Sequence, residues 1–218
     1  STSRRKKRPG HFITSPNKRM SSLTSEVIVA LASIVLHVAN YNITAQVEYY
    51  TRIFTKILGR NAVYYYAVYL VISALIRDHF IQEALMQDAG SWSIIPQKLG
   101  EFVGGSLFIL GFLLNLWTLK ALGIKGMYNG DSFGHLFDAP VTDGPYQYFN
   151  DPQYVGTTVS MFGSCLYYRS QVGIFLTIAL GLTFYVSVKF VEGPHMNKIY
   201  SQRPSKKPRS FKPKPKNT

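Results

Sequence analysis

Charge is scarce in this chain and cysteine scarcer: 16% of the residues are Asp, Glu, Lys or Arg, and Cys165 is the single cysteine. A soluble domain carries about 25% charged residues, so the low figure argues against one. One cysteine excludes an internal disulfide framework and a cysteine zinc site. Its apolar surroundings make Cys165 a small packed hydrophobe rather than a nucleophile. HExxH is absent and the five histidines are scattered, which leaves metal chemistry unsupported. Acids are few as well, 11 against 24 basic residues, for a net charge of +13. That excess looks like a nucleic-acid signal until it is mapped. Residues 1–20 hold seven Lys or Arg and residues 197–218 hold eight, with no acid in either stretch. Between them the balance is slightly negative, so no nucleic-acid partner is implied.

What the chain does have is long stretches without charge. Val27–Val47, Asn61–Ile76, Phe102–Leu119, Pro152–Tyr168 and Ser170–Val188 are each free of Asp, Glu, Lys and Arg. A helix rises 1.5 Å per residue, so roughly 20 residues cross the hydrocarbon core. The pattern predicts an all-α, polytopic membrane bundle of four to five hydrophobic helices, the last two forming a hairpin. Gly156 and Gly163 would let helices approach closely. Residues 1–22 and 201–218 read as disordered basic tails around one membrane-embedded domain, 23–200. No signal-peptide cleavage pattern precedes the first span, so the N-terminal tail is expected to stay. Unopposed basic residues place both tails in the cytosol. That requires an even number of crossings. Val27–Val47, weighed down by His37, Asn40, Asn42 and Gln46, is the stretch expected not to span. Tyr64, Tyr65, Tyr66 and Tyr69 read as an interfacial aromatic belt.

Two polar clusters flank the spans. One runs from Lys120 to Asp151 and is rich in glycine, aspartate and tyrosine; the other is V-E-G-P-H-M-N-K-I-Y-S, directly after the last span. If Pro152–Tyr168 and the following stretch form a hairpin turning at Tyr168–Ser170, its open ends lie side by side. Pro152 and Tyr154 would then face Glu192 and His195. Pro152 suits a first helical position with Asp151 as N-cap. A helix N-terminus suits a carboxylate, and Glu192 accepts from hydroxyls or an amino group. The same residues also read as an interfacial Glu ending one helix and a Pro starting another.

The run D-G-P-Y-Q-Y-F-N-D-P-Q-Y-V-G, followed a hairpin later by E-G-P-H-M-N-K-I-Y, resembles the phospholipid methyltransferases of the endoplasmic reticulum. A more distant similarity is to isoprenylcysteine carboxyl methyltransferases. The upstream stretch L-K-A-L-G-I-K-G-M-Y-N-G-D-S-F-G is similar to the phospholipid branch. The resemblance implies a membrane enzyme that uses S-adenosyl-L-methionine to methylate phosphatidylethanolamine or its mono- and dimethyl derivatives toward phosphatidylcholine. It implies a phospholipid substrate and an endoplasmic reticulum location, and gives no ground for inferring an obligate protein partner.

Carried over by register, the family's first cofactor motif, G-x-G, falls on Ile109-Leu110-Gly111, keeping one glycine. Gly104-Gly105 lies one to two turns earlier and could serve the same approach to the backbone. The second motif, a Glu-Glu pair before Pro, reads Glu192-Gly193-Pro194. Gly193→Glu, which restores the pair, is expected to be tolerated. The Asn-Pro-x-Tyr element reads Asp151-Pro152-Gln153-Tyr154. The cofactor site implied is therefore Ile109, Leu110, Gly111, Pro152, Tyr154, Glu192 and Gly193. Asp131, His135 and His195 are candidate proton acceptors. Arg77 either snorkels or holds a lipid phosphate. Tyr128, Tyr146, Tyr148 and Tyr154 are candidate ring faces for a methylated cation. Two other classes fit the same spans: a carboxyl methyltransferase acting on prenylated cysteine, and a non-enzymatic membrane scaffold.

Overall fold

The charge-free stretches are helical in the computed structural model, which describes residues 16–202. Helix α1 spans Pro16–Thr51, α3 Ala62–Gln87, α4 Gln97–Met127, α5 Pro152–Tyr168 and α6 Gln171–Ser187. Two short helices lie beyond them, α2 at Ile53–Leu58 and α7 at Gly193–Ser201. Three segments are long and apolar enough to cross a membrane: Leu23–Thr51, Gln97–Phe133 and Gln171–Ser201. The protein is a multi-pass, all-helical membrane protein. Leu36, Phe102, Leu110, Phe112, Phe175 and Leu182 are exposed, the side chains an acyl environment would cover. Of the residues assigned from sequence to the basic tails, 16–22 and Ser201 are helical; 1–15 and 203–218 lie outside the described residues.

The expectation about Val27–Val47 is corrected. The stretch lies within a segment of spanning length and hydropathy, and three of its polar side chains have partners on other helices or on its own backbone. His37 Nδ1 is 2.8 Å from Ser73 Oγ, Tyr69 donates to Asn40, and Asn42 donates to Val38 O and to Ser187 Oγ. A hydropathy count charges each of these as a cost; a partner removes most of it.

Five long helices alternate in direction, and Tyr49 near the end of α1 donates to Gln202. Helix α1 has 36 residues and is therefore about 54 Å long, so Pro16 and Gln202 lie at opposite ends of the bundle. An even number of crossings would need one of the five to stop short.

Two devices fix the helices. At the end remote from Gln202, Asp88 after α3 accepts from Ser91 Oγ, Ser170 Oγ and Val172 N at 2.8–2.9 Å. Ser170 in turn accepts from Gly173 N at 3.0 Å, capping α6. Along the bundle, α4 and α5 pack backbone to backbone through glycine. Gly104 faces Gly163 and Gly111 faces Gly156, both pairs seven residues apart, two turns on one face of each helix. A Cβ on Gly104 would enter the backbone of Tyr167 and Gly163; one on Gly111 would enter Gly156 O and Ser160. Helices α3 and α4 touch little by comparison. The space between them is the wall of the site. Cys165 is buried with its Sγ 3.2 Å from Ser170 O. Tyr66 is also buried, donating to Tyr41 O, while Tyr64, Tyr65 and Tyr69 are exposed.

Gly111→Val should therefore lower the melting temperature of the detergent-solubilised protein, overpacking costing about 1–3 kcal/mol. Gly105→Ala, where a Cβ meets nothing within 4 Å, should leave it unchanged or raised. Equal losses in both variants would contradict the seam.

Candidate functional site

The α5–α6 hairpin brings its open ends together. Tyr154, in the first turn of α5, donates to Glu192 Oε2 at 2.5 Å. Glu192 closes a π-helical turn, Val188–Glu192, between α6 and α7. Such turns re-aim side chains and recur at functional sites.

Behind this pair runs a chain of hydroxyls. Tyr154 Oη is 2.9 Å from Tyr41 Oη, which is 3.0 Å from Ser187 Oγ, and Asn42 Nδ2 donates to Ser187 at 2.7 Å. An ionised carboxylate only accepts, and an amide nitrogen only donates. With Glu192 at one end and Asn42 at the other, every hydroxyl proton points toward Glu192. The chain runs Asn42, Ser187, Tyr41, Tyr154, Glu192 and joins α1, α6 and α5. Tyr41, Asn42 and Ser187 are buried. In such surroundings a satisfied network holds its geometry tightly.

The network opens on a cavity of about 910 Å³ bounded by α1, α3, α4, α5 and α6. Asp131, Asp151 and Glu192 lie on the wall at the end near α7. Leu75, Ile109, Phe112 and Leu116 make an apolar flank between α3 and α4. Among the described residues, Arg77 is the one permanent cation on the wall.

Asp151 sits at the N-cap position of α5, yet its side chain makes no capping bond. Its carboxylate is on the cavity wall instead, and burial raises its pKa. The Tyr146 phenol, also on the wall, is pushed up to about 12 by burial and then by Asp151 and Glu192. Asp131 accepts from Tyr200 Oη at 2.6 Å.

The residues singled out from sequence divide. Tyr154, Glu192, Pro152 and Gly193 meet at the hairpin's open end, but Gly193 has no room for a side chain. A Cβ there would lie 2.6 Å from Val188 O, so the expected tolerance of Gly193→Glu is corrected: the π-turn leaves it no space. Ile109 is on the cavity wall; Leu110 is exposed on α4; Gly111 is occupied by the seam with Gly156. Gly104 and Gly105 both line the cavity, but Gly104 is also packed into the seam, while Gly105 is open.

Of the three proton-acceptor candidates, Asp131 lines the cavity. His195 lies off the wall, with Nε2 3.1 Å from Ser132 Oγ and its ring edge-on to Tyr49. His135 is off the wall too, its pKa lowered by burial and by Lys125 and Arg52. Tyr128, Tyr146 and Tyr154 line the cavity, while Tyr148 is exposed beside Trp117. Sequence reasoning missed Tyr41, Asn42 and Ser187 as site residues. The available signal was the i, i+4 spacing of His37 and Tyr41 on one helical face, with the polar Asn42 next in sequence.

The phospholipid methyltransferase profile matches residues 99–203, the segment carrying α4, the α5–α6 hairpin and Glu192. The chain is 60% identical to phosphatidylethanolamine N-methyltransferase B of Dictyostelium discoideum, over 83% of this chain and 90% of that protein. It is 33% identical to phosphatidyl-N-methylethanolamine N-methyltransferase of Emericella nidulans, over 83% of this chain and 88% of the relative. Against human phosphatidylethanolamine N-methyltransferase the identity is 29%, over 84% of this chain and 92% of the relative. No solved structure matches. The aspartate- and tyrosine-lined cavity closed by Tyr154 and Glu192 thus lies in a chain that belongs to the phospholipid methyltransferase family.

Proposed function

We propose that the protein transfers methyl groups from S-adenosyl-L-methionine to the amine of phosphatidylethanolamine or its mono- and dimethyl derivatives, in phosphatidylcholine synthesis. One observation carries the reading: a single cavity is acidic at one end and apolar along its flank. Both reactants suit it. The methyl donor is a water-soluble sulfonium cation, and the acceptor is a lipid whose amine is cationic before reaction. A carboxyl methyltransferase would have to seat an anionic acceptor among Asp131, Asp151 and Glu192, where like charges oppose it.

The residues present fit the donor. Glu192, held by Tyr154, is an acceptor for an amino group or hydroxyl. Gly105 offers backbone that no side chain covers. When bound, S-adenosyl-L-methionine supplies the methyl group, whose C–S bond breaks as the C–N bond forms. The protein's part is to align the reactants, worth up to about 7–11 kcal/mol, and to remove a proton. A primary ammonium with a pKa near that of Lys, about 10.4, is neutral in only about one molecule in 10³ at pH 7. Asp151, on the wall with a raised pKa, accepts that proton more readily than an ordinary carboxylate. Asp131 shares the end of the cavity. The ring faces of Tyr128, Tyr146 and Tyr154 hold the methylated cation, each contact contributing about 0.5–2 kcal/mol.

The Glu192 end faces the cytosol of an endoplasmic reticulum membrane, where a soluble donor can enter and a lipid can arrive sideways. Gln202 lies at that end, so protease added to intact microsomes should remove a tag at the C-terminus. Protection of the tag would reverse the orientation.

Glu192→Gln keeps the shape and removes the charge. Charge-assisted hydrogen bonds contribute about 1.5–3 kcal/mol, so S-adenosyl-L-methionine should bind roughly ten- to a hundredfold more weakly in equilibrium binding. Unchanged affinity would place the donor elsewhere.

Proton removal has its own test. Burial raises the Asp151 pKa, so its accepting form builds up only as pH rises above the usual carboxylate value of about 3.9. The rate should climb with pH across that raised value. Asp151→Asn should cut kcat about 10²-fold and flatten that limb, whereas His135→Ala and His195→Ala should stay within about threefold of the parent. A parental pH profile in Asp151→Asn would remove Asp151 from the role.

A further inference from the structure

Arg77 sits where a charge is costly. It lies 15 residues beyond the first residue of α3 and ten before the last, hence about 22 Å and 15 Å from the helix ends. It is 6% exposed. Ionisable groups at such depth are rare and mark functional surfaces. Its Nε donates to Asp78 Oδ1 at 2.8 Å, and its Nη2 forms an ion pair with the same oxygen at 2.7 Å. Nη1 makes no hydrogen bond among the described residues. The pair belongs to the cavity wall, as do His37 on the facing helix and Leu75, Phe112 and Leu116 of the apolar flank. Nothing in the chemistry at Glu192 uses it.

We propose that Arg77, neutralised by Asp78, is the subsite for the acyl ester carbonyls of the glycerolipid substrate. The proposal rests on the methyl-transfer reading above and adds which part of the lipid is recognised, and by what.

Charge selects the ligand group. A lipid phosphodiester bound to this guanidinium would share it with the Asp78 carboxylate, two anions on one cation in a low-dielectric wall. An ester carbonyl brings no charge and needs only a donor, which Nη1 supplies. Asp78 thus turns a cation that would attract phosphate into a neutral donor.

Length agrees. Ser73 is one turn before Arg77 on α3 and is bonded to His37. His37 is one turn before Tyr41 on α1, and Tyr41 meets the Tyr154 hydroxyl. Two turns separate Arg77 from the Tyr154–Glu192 level, about 11 Å. From the ethanolamine nitrogen to the nearer ester carbonyl there are about nine covalent bonds. An extended chain advances about 3.3–3.6 Å per three bonds, which gives roughly 10 Å; the phosphorus, about four bonds away, is reached at roughly half that. An amine held between Asp151 and Glu192 therefore brings the ester carbonyls, and not the phosphate, to the depth of Arg77. The acyl chains then leave between α3 and α4, along Leu75 and Phe112.

The test compares two acceptors that differ only in those carbonyls. The purified full-length chain in mixed micelles is given a dioleoyl phosphatidyl-N-methylethanolamine or its dioleyl diether analogue, with radiolabelled S-adenosyl-L-methionine. The parent should show a KM at least tenfold lower for the diester, at similar kcat. Arg77→Leu combined with Asp78→Leu removes both charges together, so no ion is left unpaired. It should raise the diester KM to the diether value while leaving donor affinity and kcat as in the parent. Arg77→Lys, which keeps a donor, should retain part of the preference. Equal KM values for the two lipids in the parent would overturn the subsite, a result that does not depend on any variant folding. So would a double variant whose KM rises equally for both lipids, which would mean a phosphate contact. Methylation of neither lipid by the parent would reject the functional reading itself, and the subsite with it.

Discussion

The site depends on keeping one carboxylate, that of Glu192, fixed inside a helical bundle where water cannot orient it. Tyr154 donates to Glu192, Tyr41 sits behind Tyr154, Ser187 behind Tyr41, and Asn42 ends the chain. Each link lies on a different helix from the next until Asn42 returns to α1. An acceptor at one end and an amide donor at the other leave a single consistent direction for all the protons between. Three helices are thereby held by the same bonds that aim the site. The fold and the site are not separable here: moving α1 removes the group that orients Tyr154.

The glycine seam does a complementary job. By pressing α5 onto α4 it fills the Cβ positions of Gly104, Gly111, Gly156 and Gly163 with atoms of the facing helix. It also fixes where the packing is loose, between α3 and α4. A lipid enzyme needs that asymmetry. One reactant is soluble in water and the other in the bilayer, so the cavity must be closed around the reacting atoms and open on two sides. A polar end at Asp131, Asp151 and Glu192 and an apolar flank at Leu75 and Phe112 provide both in one volume.

Much of this is legible in the sequence because membrane helices announce themselves by what they exclude. The five charge-free stretches, the turn at Tyr168–Ser170 and the meeting of Tyr154 with Glu192 all follow from counting and from helix geometry. Other features depend on which face a residue occupies, which a linear count does not weigh. Asn42 of α1 looked like a defect in a span and is instead the end of the site's supporting chain. Gly111 looked like a ligand contact and packs against Gly156. Gly193 looked like a vacant place for a second carboxylate, but the π-turn fills it with the Val188 carbonyl. Asp151 looked like a cap, yet its carboxylate leaves the helix end unbonded and joins the cavity. In each instance a long-range contact overrode a local rule.

Donor and lipid meet in this one cavity, the donor at its Glu192 end. The most direct measurement is an electron cryo-microscopy structure of the protein in nanodiscs with bound S-adenosyl-L-homocysteine, the product left after methyl transfer. Density for the product should lie at the α5–α6 open end, with a polar atom in hydrogen-bond contact with Glu192 and the sulfur facing the space beside Asp151. Density on α4 at Leu110, outside the cavity, or anywhere beyond reach of Glu192, would contradict that placement.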